Sequence, residues 1–243
     1  MRLVGMLYAL ASYAVFLASF LYAVCFTGDF LVPKTIDSGI GGPLLEALGV
    51  NVLLLGIFAV QHSLMARPGF KRWWTTFVPS AMERSTYVLL ASLILLLIFW
   101  QWRPIGGIAW SIESPVGRAI VWAICAVGWL VVLLSTFMIN HFDLFGLRQA
   151  YLAMVGAEYT PLRFTERWLY AFVRHPIMLG FLIAFWAVPT VSWGHLLFTV
   201  GCTGYIFVGL WFEERDLLAH HGDDFRRYRE RVPMVIPRIG VEK

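Results

Sequence analysis

The stretch "IMLGFLIAFWAVPTVSWGHLLFTVGCTGYIFVGLWF", Ile177 to Phe212, decides how the chain is to be read. It holds no Asp, Glu, Lys or Arg. A helix crossing a bilayer core needs about 20 apolar residues, so the run is too long for one crossing. It is interrupted by "PTVSWG", Pro189 to Gly194, a cluster that reads as a turn. Each half is then roughly 16–18 residues, or about 24–27 Å of helix at the usual rise. That is slightly short for a bilayer core, which local thinning or partial insertion accommodates. The expectation is a hairpin of two apolar helices.

Working outward, four further runs have the length and apolarity of a crossing: Val4–Phe26, Leu44–Ala66, Ser85–Trp102 and Val116–Ile139. The first is too long for the apolar core of a cleaved signal peptide, and only Arg2 precedes it. Composition agrees: 59% of the 243 residues are hydrophobic and 14% charged, with mean hydropathy +0.72. Soluble domains carry about 25% charged residues, so a soluble globular protein is excluded. The fold expected is an all-α integral membrane protein of about six transmembrane helices, the last two a helical hairpin. A cytoplasmic amphipathic C-terminal helix follows. Two parts are expected, a four-helix transmembrane part over 1–140 and a part over 141–243 with the hairpin and tail. The net charge of +4 is scattered, with no basic run that would suit a nucleic acid. Cys25, Cys125 and Cys202 fall singly inside apolar runs and read as small buried hydrophobes; no metal site is expected.

Lysine and arginine set the orientation. The connection before the second span has Lys34 alone, whereas the next has Arg67, Lys71, Arg72 and Arg84. The third is poor, with Arg103 and Arg118 at its edges; His141–Pro176 then carries four arginines and the tail from Glu213 seven basic residues. Positive charge collects on the cytoplasmic side, so both termini are expected there, which an even number of crossings satisfies.

Span centres are almost free of ionisable groups, unlike those of carriers and proton pumps. The polar residues gather at the cytoplasmic ends instead. His62 closes the second span, Asn140, His141 and Asp143 the fourth, Arg174 and His175 open the hairpin, and Glu213 and Glu214 close it. Carboxylates at a lipid boundary need a cationic or hydrogen-bonding partner, and Arg174 and His175 stand at the same depth. In the tail, Leu217, Leu218, His221, Phe225, Tyr228 and Val232 recur at three- and four-residue spacing, an amphipathic pattern that Gly222 interrupts and Pro233 ends. His220 and His221 read as tail surface, and His195 as structural on the far side.

Arg174-His175-Pro176 with Gly180, a hairpin, then Glu213-Glu214, Leu217, Gly222 and Tyr228 resembles the isoprenylcysteine carboxyl methyltransferase and phospholipid methyltransferase superfamily. Tyr170 also matches. Met178 and Phe225 depart from its pattern, each standing where a tyrosine is usual. Farther upstream, "AVQHSLMARPGFK" (Ala59–Lys71), "ERSTYVL" (Glu83–Leu89) and "INHFDLFGLRQAYL" (Ile139–Leu152) resemble the bacterial methanethiol S-methyltransferases, and are similar to NnrU-type membrane proteins. The resemblance implies an S-adenosylmethionine-dependent enzyme of the bacterial inner membrane that methylates a small thiol, most simply methanethiol to dimethyl sulfide. Isoprenylcysteine or phospholipid acceptors, or a non-catalytic NnrU-like role, are the alternatives.

By position, the resemblance assigns cofactor binding to Tyr170, Arg174, His175, Pro176, Ile177, Met178, Glu213 and Glu214, with Leu162–Thr165 corresponding by spacing. Arg174 or Arg163 can pair the cofactor's carboxylate, the acidic pair its ammonium or ribose hydroxyls, and Tyr170 its cationic or flat parts. Methyl transfer asks the protein to align nucleophile and methyl and to exclude water. A thiol must also ionise, which calls for a base. His141 with Asp143, and His62, are the catalytic candidates; the alternative is that the histidines only satisfy helix-end carbonyls. Arg148 and Gln149 either shape the pocket or anchor a loop.

Overall fold

The computed structural model describes residues 2–39, 41–162 and 166–237. Among the described residues, five helices are long and apolar enough to cross a membrane: α1 (Arg2–Gly28), α2 (Leu44–Ala66), α4 (Ser80–Gln101), α5 (Pro115–Ile139) and α9 (Trp193–His221). The protein is an integral membrane protein. Between and after these lie the short helices α3 (Pro68–Trp74), α6 (His141–Leu144), α7 (Leu147–Val155), α8 (Pro176–Trp186) and α10 (Asp223–Arg231). Two short strands, β1 (Ile108–Ser111) and β2 (Thr190–Ser192), pair as a two-stranded sheet. Proline sets several helix starts: Pro68 and Pro176 occupy the first turn, Pro43 and Pro79 stand immediately before it, and Pro115 begins α5. Its fixed φ suits that position and its missing N–H costs nothing there.

The chain forms two compact units, interleaved along the sequence. The first comprises Met1–Trp110, Asn140–Pro161 and Val191–Gly201. Within it α1 packs on α4 and α7, and α2 on α4. Small residues allow the close fit of Ala9 with Leu147 and Ala150. Asn51, fully buried on α2, uses both ends of its amide on the backbone of Arg103, at 2.8 and 2.9 Å, satisfying both main-chain groups of a residue just beyond α4. At the head of α9, Ser192 Oγ accepts the His195 N–H at 2.9 Å, an N-cap of the usual serine kind, and donates to Asp37. His195 is buried there.

The second unit comprises Ser111–Ile139, Leu162–Thr190 and Cys202–Lys243. Its centre is the packing of α5 on α8 through Gly128 and Gly180. A β-carbon on Gly128 would lie 2.6 Å from the Ala184 nitrogen, and one on Gly180 would lie 2.7 Å from the Gly128 oxygen. Backbone meets backbone here, the small-residue device of membrane helices. On the other side of α8, Met178, Leu179, Phe181 and Leu182 pack against Ile206 and Leu210 of α9 and Val235 of the tail.

The apolar run does fold as two helices joined at Pro189, but they are unequal. Halves of similar length are expected from the sequence, whereas α8 has 11 residues and α9 has 29. α8 stops early because Val188 precedes a proline, which disfavours helical backbone. α9 runs past Phe212 because no Gly or Pro lies between Phe212 and Gly222. Glu213 and Glu214 therefore lie inside a continuous helix of roughly 43 Å rather than at its end.

Candidate active site

The site in the second unit is assembled by the segment preceding α8. His175 is the N-cap residue of α8, and the N–H groups of Arg174 and His175 donate to the carbonyls of Pro233 and Met234 at 2.9 and 3.1 Å. The end of the tail is thereby laid along the motif. Arg174 is nearly enclosed, at 9% exposure. Its Nε and Nη2 both reach Glu214 Oε1, at 2.7 and 2.6 Å. Its Nη1 donates to the carbonyls of Arg229, at 3.0 Å, and Val232. These bonds tie the hairpin mouth to α10.

The acidic pair divides its work. Glu214 is buried and also meets His175 Nε2 at 3.2 Å and Arg229 Nε at 3.7 Å. The side chain of Glu213 is 49% exposed, with Oε2 3.8 Å from His175 Nδ1. Consecutive residues of a helix point about 100° apart, so one carboxylate can serve the fold while its neighbour faces a cavity.

That cavity measures about 240 Å³. Tyr170, Arg174, His175, Ile177, Met178 and Glu213 line it, bringing together six of the eight residues expected to hold a cofactor. Of the other two, Pro176 starts α8 and Glu214 bonds Arg174 and His175. Leu162 lines the cavity as well, whereas Arg163, Phe164 and Thr165 lie outside the described residues. Met178 and Phe225, the two departures from the tyrosine pattern, both present apolar surface to it.

The remaining wall is formed by Ile139, Leu217, His221, Phe225 and Tyr228. The sequence reading of His221 as tail surface is corrected. His220 is exposed, but His221 lies on the cavity wall. The spacing Glu213–Leu217–His221 is the signal that could have found it, since residues four apart share a helix face. Tyr228 OH donates to the Tyr170 carbonyl at 2.6 Å and fastens α10 over the cavity. Burial, and then the Glu213 carboxylate, push the Tyr170 phenol above its ordinary range, so it remains neutral at physiological pH.

With Arg174 balanced by Glu214, Glu213 presents a partly exposed carboxylate on a wall that also carries His175, His221 and apolar and aromatic side chains. Such a donor set fits a ligand that is cationic and flat in part.

The catalytic candidates named from sequence lie in the first unit. His141 is buried on α6, its Nε2 2.8 Å from the hydroxyl of Tyr13, its ring edge-on to Tyr13 and Phe145. Burial lowers its pKa from the ordinary histidine value. Asp143 receives Arg148 Nη1 at 2.8 Å and the Tyr159 hydroxyl at 3.3 Å. Arg148 also bonds the carbonyl and hydroxyl of Thr160, and Gln149 donates to the Asp143 carbonyl. Arg148 and Gln149 thus anchor a loop, one of the two roles expected of them. His62 Nε2 lies 2.7 Å from the Tyr87 hydroxyl, and its ring stacks on Phe58. Each of these two histidines is paired with a tyrosine.

Known proteins supply the context. The family described as NnrU protein matches residues 50–236. A protein named methanethiol S-methyltransferase from Mycobacterium tuberculosis is 58% identical over 236 residues, 97% of each chain. Methanethiol S-methyltransferase 2 of Bradyrhizobium diazoefficiens is 55% identical over 98% of this chain and 92% of its own. The Crocosphaera subtropica protein named methanethiol S-methyltransferase is 50% identical over 97% and 92%. No solved structure shows significant similarity to the chain. The chain therefore belongs to the NnrU protein family, and it is 50–58% identical to these three proteins named methanethiol S-methyltransferase.

Proposed function

We propose that the protein is a membrane methyltransferase that moves a methyl group from S-adenosylmethionine to a small thiol, methanethiol giving dimethyl sulfide. The observation that carries this reading is the cavity wall, which brings Glu213, His175 and Tyr170 together with the apolar side chains of Ile177 and Met178. Glu213 suits the cationic part of the cofactor, and Tyr170 its charged or planar parts. Arg174 and Glu214 hold the wall in place, and Pro176 fixes the start of the helix that carries Ile177 and Met178. When bound, S-adenosylmethionine supplies a methyl group already activated by its sulfonium. The protein has then to align the thiol, exclude water and take up a proton. The base is a histidine: His141, followed by Asp143 two residues on, and His62 are two candidates, and the cavity wall carries a third.

In this reading the cavity lies at the cytoplasmic face of a bacterial inner membrane, with both chain ends on that side and α8 together with the extended segment that follows it serving as the sixth crossing. A small volatile thiol partitions into lipid and reaches the site from the bilayer without an aqueous path. The test is headspace analysis of dimethyl sulfide from purified protein given S-adenosylmethionine and methanethiol. Product formation dependent on both supports the reading; no product together with no cofactor binding overturns it.

A further inference from the structure

We propose that His221 is the residue that takes the proton from the acceptor thiol, an inference that rests on the methyltransferase reading above. α9 presents Glu213, Leu217 and His221 to one cavity at successive four-residue steps. The first and last are therefore about 12 Å apart along the helix axis. The cavity has a carboxylate at one end, an imidazole at the other, and Leu217 between them. A cation and a neutral, ionisable nucleophile ask for those two poles.

The chain builds this position deliberately. Gly222, at φ +54°, ends α9 immediately after His221 in a backbone conformation that other residues rarely adopt. α10 can then fold back, so that Phe225 and Tyr228 reach the same wall. Phe225 and Tyr228 are almost fully buried and pack with Leu217, Leu218 and Val232, which gives this end of the cavity an apolar backing.

His175, the other histidine on the wall, has a positioning role at the head of α8. Its Nε2 lies 3.2 Å from Glu214 and its Nδ1 3.8 Å from Glu213, an environment that holds the ring between two carboxylates. The titratable and charged groups around the His221 cavity are Glu213 from its own helix, Arg174 and His175 from the head of α8, Tyr170 and Tyr228. The ring of exposed His220 lies edge-on beside it, 4.8 Å between centroids.

The step balances simply. The thiol S–H bond breaks and its proton passes to the His221 imidazole. The sulfur lone pair forms the new S–CH₃ bond, the bond from the methyl to the sulfonium breaks, and its electron pair stays on the donor sulfur, now a neutral thioether. His221 then returns the proton to water.

The experiment uses the full chain with His221→Gln and His221→Phe. Calorimetric binding of S-adenosylhomocysteine shows that each variant is folded and the cofactor end intact. Methanethiol is then added to that unreactive complex across a pH series, and the ultraviolet thiolate band is read. The wild type is expected to show bound thiolate at neutral pH and both variants to lose it. Their kcat/KM for methanethiol should fall about 10²-fold or more, the usual worth of a positioned base, with less loss for a more acidic thiol. Normal S-adenosylhomocysteine binding with an unchanged thiolate band and pH profile in both variants overturns the His221 assignment alone. A wild type that neither binds S-adenosylhomocysteine nor methylates any thiol overturns the methyltransferase reading and this step with it.

Discussion

Arg174 and Glu214, forty residues apart in sequence, form a buried pair in which two guanidinium nitrogens share one carboxylate oxygen at 2.6 and 2.7 Å. The same guanidinium holds the carbonyls of Arg229 and Val232. Removing one partner leaves the other charge buried and uncompensated, at a cost of about 3–5 kcal/mol. Arg174→Ala should therefore loosen α10 and the residues after it. Limited proteolysis of the tail should become fast in this variant, whereas Arg174→Lys should protect it only in part, because a point charge cannot make the forked contacts. Unchanged proteolysis would contradict the clamp.

The two adjacent glutamates should separate by phenotype. Glu213→Gln removes a half-exposed charge at the cavity and should weaken S-adenosylmethionine binding roughly tenfold or more, about the 1.5–3 kcal/mol of a charged hydrogen bond. Its thermal unfolding should be nearly unchanged. Glu214→Gln should lower the unfolding temperature first. Calorimetry and thermal unfolding of both variants in the same detergent check this, and equal behaviour of the two would contradict the division of labour.

Glycine to alanine inside a helix normally stabilises by about 0.5–1 kcal/mol. At Gly128 and Gly180 the sign should reverse, because the added carbon would meet backbone atoms 2.6–2.9 Å away. Overpacking of this kind costs about 1–3 kcal/mol. Alanine at Gly56, where nothing lies within 4 Å of an added carbon, is the control that should not destabilise.

His141 supplies a pH dependence. Burial holds its folded pKa below 6.5, so as pH falls below that value the unfolded chain binds a proton that the folded chain does not. Stability is then lost on the acid side, not the alkaline side. Thermal unfolding should show a fall in stability between about pH 7 and pH 5 that is shallower in His141→Gln. Identical pH profiles for the two proteins would contradict the assignment.

Much of the architecture was legible because the bilayer imposes a single dominant length rule. Leu44–Ala66 has the same limits in sequence and structure, and the turn at Pro189 is where the hairpin bends. The unequal halves were less visible. Hydropathy falls at Phe212, but helix formation depends on breakers, and none lies between Phe212 and Gly222. The cavity residues from Tyr170 to Met178 were legible because they are contiguous with the motif. The division between Glu213 and Glu214 was not, since it follows from helical phase. Nor was the position of His221, which looks like tail surface until the Glu213–Leu217–His221 face is drawn. The clamp of Arg174 on carbonyls 55 and 58 residues away depends on tertiary contact and has no local signature.

The central claim is that the second unit's cavity seats a sulfonium nucleoside between the head of α8 and α9. An experimental structure of the protein with S-adenosylhomocysteine measures this directly. The ligand is expected against Tyr170, His175, Met178 and Glu213. A catalytically active preparation with the ligand bound elsewhere, and that cavity empty, would contradict it.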